Sequence, residues 1–149
     1  MTISLQNTIL NAIKLSLEKI TIANGYQSDV AIVKRGVRTI DDMVGALPGL
    51  TIWKEKNIRE DDYQTGSMSI LVLHVWGFCN VDARNDDYDN LDKLVADVEK
   101  VLTSSTHNPT YYTATFIRDT EYFEGGPEDA FGIFDIVVEL KYFYNFGSI

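Results

Sequence analysis

Apolar residues recur at steps of three and four from Leu5 through Ile9, Ala12, Ile13 and Leu17 to Ile20. That stripe predicts a first helix, with Ser4 as its cap and Asn24-Gly25 as its end. From Tyr26 to Val33 the pattern alternates, Val30 and Ile32 against Ala31 and Val33, which predicts a short strand followed directly by the basic residues Lys34, Arg35 and Arg38. The stretch Thr39 to Gly49 is rich in turn formers, and Leu50 to Lys56 reads as the next strand. Asn57 to Gly66, NIREDDYQTG, reads as an exposed charged loop.

The strongest strand signal follows. Between Ser67 and Cys79 the chain places Met68, Ile70, Val72, His74, Trp76 and Phe78 on one face and Leu71, Leu73 and Val75 on the other. Such a strand is roughly 40 Å long, well beyond the usual five or six residues, so part of it must project past the core or pair with something else. A second helix is predicted over Asp87–Leu102, where Leu91, Leu94, Val95, Val98, Val101 and Leu102 form one stripe. Asp89 and Asp92 stand near its positive end and Lys100 near the other. Strands Tyr111–Tyr122 and Phe131–Tyr144 complete the chain, joined by an acidic tip, Glu124 to Asp129, expected to be exposed. The order α-β-β-β-α-β-β predicts one α+β domain over residues 1–149: an antiparallel or mixed sheet with two amphipathic helices on one face.

Composition narrows the function classes. The 149 residues are 45% hydrophobic and 23% charged, which is ordinary for a globular chain. The lone cysteine, Cys79, offers neither an internal disulfide nor a thiolate zinc site, and a reducing compartment fits. Polar and charged residues interrupt the apolar N-terminal stretch too often for a membrane span or a signal core. A net charge of −9 argues against wrapping nucleic acid, which needs clustered Lys and Arg. The charge is unevenly spread: residues up to Glu60 carry 8 basic and 6 acidic side chains, a charge of +2, whereas the remainder carries 5 and 16, a charge of −11. Such asymmetry fits a head-to-tail contact between copies, as well as two solvated faces of unequal charge.

No catalytic constellation assembles from the sequence, and no cofactor or metal is expected. His74 and Cys79 share a strand but stand on opposite faces about 16 Å apart, so they cannot form a nucleophile-base pair. A core or sheet-face histidine and a small buried thiol are expected instead. His107 falls in a turn. Asn85, Asp87 and Asp89 have the spacing that opens a calcium loop, but Asn90 stands where the sharp turn needs Gly and Ala96 where a bidentate Glu is needed. Helix capping accounts better for these carboxylates. The glycines form neither a phosphate loop nor a nucleophile elbow. Phe143 and Phe146 are left over from the core pattern of the last strand and suit an interface.

The arrangement resembles the phage tail terminator or tail completion proteins, the minor tail protein U-like group, over nearly the whole chain. The residues that carry the resemblance are the N-terminal helix closing in Asn24-Gly25-Tyr26, the words Leu47-Pro48-Gly49-Leu50-Thr51-Ile52 and Glu60-Asp61-Asp62, the long strand, the single mid-chain helix and the closing Leu140-Lys141-Tyr142-Phe143-Tyr144. The resemblance implies a non-enzymatic virion protein of the tail-neck region, assembled in the host cytoplasm. It implies a homo-oligomeric ring, a hexamer, that caps the tail tube, stops its polymerisation and joins the head connector, with DNA passing through the lumen unbound. Its implied partners are further copies of itself, the tail tube protein and a connector or neck protein, with no membrane. It supplies no site residues by position. Charge and strand pattern nominate an interface in which Lys34, Arg35 and Arg38 face Asp61, Asp62, Glu124, Glu128 or Asp129 of a neighbour, with apolar support from Phe143 and Phe146. Two alternatives stay open: a neck or head-closure protein within the same class, and, outside it, a small-ligand-binding α+β domain or an enzyme of unassigned chemistry.

Overall fold

A computed structural model describes residues 5–62, 66–103, 114–123 and 130–145. Helix α1 (Leu5–Leu17) leads through a short 3-10 turn at Ile22–Asn24 into strand β1 (Ile32–Arg35). A one-turn helix α2 (Ile40–Met43) and a 3-10 turn at Val44–Ala46 precede strands β2 (Gly49–Asp62) and β3 (Gly66–Asn80). Helix α3 (Asp89–Thr103) and strands β4 (Ala114–Phe123) and β5 (Phe131–Asn145) follow. One five-stranded sheet runs in the order β1-β2-β3-β5-β4. It is mixed: β1 is parallel to β2, and every other pair is antiparallel. The fold is α+β, as the pattern predicts, with α2 as an added element.

The core lies between the sheet and helices α1 and α3. Ile9, Leu10, Ile13, Leu17 and Ile20 from the first segment and Leu91, Leu94, Val98 and Leu102 from α3 pack on Leu50, Ile52, Leu71, Leu73, Val75, Phe134, Ile136, Val138 and Leu140. Each such side chain contributes roughly 1.5–3 kcal/mol by leaving water. The period-2 alternation of β5, Phe134 to Tyr142 against Asp135, Glu139 and Lys141, is what selects this face. The unbroken β3–β5 register, Gly66↔Asn145 through Asn80↔Phe131, keeps both strands in phase along their whole length. The length of β3 is accounted for by pairing, since β2 and β5 flank it nearly end to end.

Four boundaries differ from the sequence expectation. First, α1 stops at Leu17, short of Ile20 and well before Asn24-Gly25. Gly25, at φ +92°, instead closes the 3-10 turn, whose Thr21 side chain accepts from the Asn24 amide. Second, β1 occupies only Ile32–Arg35, so Tyr26 to Ala31 are loop and Lys34 and Arg35 lie inside the strand. The loop is held from outside it: the Asp97 carboxylate accepts from the Gln27 amide at 3.0 and 3.1 Å, and the Val30 amide donates to the Ile20 carbonyl. Third, the turn-rich Thr39 to Gly49 stretch contains α2, opened by Thr39 and Asp42 bonding to each other. Fourth, Asn57 to Asp62 are strand, not loop. Their charge shows that one side is wet, and Asn57, Ile58, Arg59 and Glu60 are indeed exposed.

Candidate interaction surface

The sheet's second face, opposite α1 and α3, carries β3 residues Met68, Ile70, Val72, His74, Trp76 and Phe78, as the alternation predicts. Register brings β5 residues Phe143, Lys141, Glu139, Val137, Asp135 and Ile133 beside them. Three β-bulges then decide what else stands there. The ladder skips Glu55 and Glu60 in β2 and Arg118 in β4. A bulge adds one residue and re-aims its side chain, and each of these three finds a charge on this face. Glu55 meets His74 Nε2 at 2.9 Å, Glu60 meets Lys141 at 2.9 Å, and Arg118 meets Glu139 at 3.1 Å.

His74 is the best-held group of the row. Its Nδ1 lies 2.8 and 3.0 Å from the two Asp135 carboxylate oxygens, and its ring stacks on Trp53 at 4.1 Å with the planes parallel. Trp76 meets Trp53 edge-on at 5.8 Å. Ionised carboxylates only accept, so a ring nitrogen that carries a proton donates to the carboxylate beside it. The hydrogen bond from His74 holds the Glu55 carboxyl below the usual carboxylate range, with burial opposing it and Lys56 and Arg118 assisting. Trp53 Nε1, Trp76 Nε1 and Thr51 Oγ1 are buried with no partner among the described residues. The arrangement binds two carboxylates to one ring. Cys79 is on the helix face, buried, with its thiol pushed up to about 12 chiefly by burial. His74 and Cys79 thus stand on opposite faces, as the spacing requires.

The nominated interface residues do not form one cluster. Lys34 and Arg35 pair with Thr51 and Ile52 at one end of β2, whereas Asp61 and Asp62 end the same strand far from them. Arg35 is engaged within the chain, donating to Asn7 and Asn11 of α1 at 3.0 and 3.2 Å, and Arg38 donates to the Arg35 carbonyl at 3.2 Å. Phe143 is on the second face, 40% exposed. Glu124, Glu128, Asp129 and Phe146 lie outside the described residues. In the acidic run, Asp82 accepts from Asn85, and Asp87 accepts from the Asp89 amide at the start of α3. These are turn and capping roles. Clefts of about 240, 400 and 300 Å³ open beside Asp29 and Lys93, beside Lys14 and Val33, and beside Gln6 and Tyr142. None of the three is lined by Trp53 or Trp76.

Sequence reasoning missed the ionic row. It treated His74 as a core or sheet-face histidine and gave it no charged partner among Glu55 and Asp135, nor paired Glu60 with Lys141 or Arg118 with Glu139. Asp135 carries a readable signal, since it interrupts the apolar run Phe134–Val138 of a strand whose neighbour carries a histidine.

No family model and no curated protein matches this chain. Its fold is shared with a protein from the virion of a native gene transfer agent particle, at a TM-score of 0.57 and 11% identity. The likeness covers 90% of this chain and 93% of that one.

Proposed function

We propose that this chain is a structural virion protein that forms a closed ring on the end of a phage-type tail tube, halts tube growth there and presents the surface that meets the head connector. What carries the reading is the likeness to a gene transfer agent virion protein over nine-tenths of both chains. The tail-terminator pattern of elements and the uneven charge are consistent with it. In this reading the chain acts by contact and not by chemistry. The acidic excess keeps DNA sliding past without adhesion. The mildly basic N-terminal part, with Lys34, Arg35 and Arg38, meets an acidic surface of the next subunit, Asp61 and Asp62 or Glu124, Glu128 and Asp129, and Phe143 and Phe146 add apolar area. Exposed ion pairs steer and orient more than they bind.

The test is to add the purified protein to polymerising tail tube protein and image both in negative stain. Rings of the protein alone, and tubes that stop short with a ring at one end, are the expected result. Rings that bind the connector but leave tube length unchanged move the role to head closure. A monomer that alters neither overturns the proposal.

A further inference from the structure

Among the described residues the sheet has two open edges that match. β1 covers β2 only over Gly49–Ile52, and among the described residues no strand pairs with that side of β2 from Trp53 to Asp62. At the other end of the sheet, the outer side of β4 is likewise open along Ala114–Phe123. The two free stretches are equally long, ten residues each, and run in opposite directions within the sheet. A row of free backbone donors and acceptors is a template for another strand. Their side chains on the second face also match. β2 offers exposed Lys56 and then Ile58, which is 37% exposed. β4, read backwards, offers exposed Asp119 and then Phe116, which is 57% exposed, with the Arg118 bulge between them.

We propose that a second copy of this chain joins the sheet by antiparallel pairing of its β4 with the open side of β2, setting Lys56 opposite Asp119 and Ile58 opposite Phe116. The contact is heterologous, so each copy uses both edges and the chain of copies closes or grows. It rests on the ring reading for closure and names the contact by which that ring would be built. Backbone bonds and the Ile58–Phe116 pair hold the strands, and the charge pair fixes the register.

The experiment is a charge swap read by sedimentation velocity on the full-length chain in low salt, with circular dichroism to check folding. Lys56→Glu alone and Asp119→Lys alone each weaken self-association about tenfold. A one-to-one mixture of the two restores it, because both edges of one variant then meet edges of opposite charge on the other. A second measurement is mild oxidation of Lys56→Cys mixed with Asp119→Cys in a Cys79→Ser background, which gives a cross-linked dimer that neither variant gives alone. Assembly of the parent that neither reversal weakens overturns the edge contact and leaves the ring reading standing. Cross-linking of Asp119→Cys with itself overturns it in favour of a two-fold β4 contact. A parent chain that stays monomeric at every concentration overturns both the contact and the ring.

Discussion

Gly77 shows how closely a single position is specified. It faces Phe134 across β3–β5, and a Cβ there would lie only 2.1 Å from a ring carbon of Phe134. Gly77→Ala is expected to cost about 1–3 kcal/mol by overpacking, read as a lower urea midpoint at unchanged slope, and shrinking the ring with Phe134→Leu should return part of it. His74 is specified by charge. Replacing it with Leu strands Asp135, which is 8% exposed, and should cost about 3–5 kcal/mol, whereas His74→Leu with Asp135→Leu should cost much less, since two apolar residues replace a buried pair. Urea unfolding of the four proteins in that cycle checks it. The Glu55 carboxyl sits below its ordinary value of 4.5 because the His74 hydrogen bond favours the ionised form. Its contribution to stability is therefore full above about pH 4.5 and is lost as pH falls through the lowered value. Thermal melts between pH 7 and 3 should show a shallower acid decline for Glu55→Gln than for the parent.

Helix α3 illustrates both what an element's pattern reveals and what it hides. Its apolar stripe was plain, and the structure buries the six residues named for it. The same stripe gave no reason to bury Asp97, which is 2% exposed and lies between Ala96 and Val98. Its partner is a backbone amide 70 residues earlier, and such a long-range bond leaves no local periodicity to read. Asp97→Ala should cost about 1–3 kcal/mol and free the loop from Tyr26 to Ala31, seen as faster amide exchange at Gln27, with Asp97→Asn losing less. The long strand β3 was equally legible, because Ile70 to Trp76 is an apolar run of strand formers broken only by His74. The strand character of Asn57–Asp62 was not, since polar side chains suit a loop and a wet sheet edge alike. Bulges were also invisible: Glu55, Glu60 and Arg118 reach the second face only because the ladder skips them, and register is fixed by partner strands. The candidate surface was therefore foreseen in its β3 residues and Phe143, and missed in its charges.

At the scale of the molecule, the two-layer build makes its faces unlike. One side of the sheet is sealed by two helices, and the other carries paired charges among the exposed rings of Phe116, Phe123 and Phe143. The lone thiol lies on the sealed side, at Cys79 beside Gly132 and within the core. Burial keeps it both inaccessible and protonated, so the folded chain should react with a thiol reagent only when the sheet and α3 part. That makes Cys79 a clock. At neutral pH and at concentrations where the chain is monomeric, its labelling rate with a small disulfide reagent should follow the opening of the whole fold: raised by Gly77→Ala, and unchanged there by substitutions that affect only the contact between copies. A labelling rate that fell with rising protein concentration would count subunits leaving solution for an assembly, with no dye or tag on the surface to disturb the count.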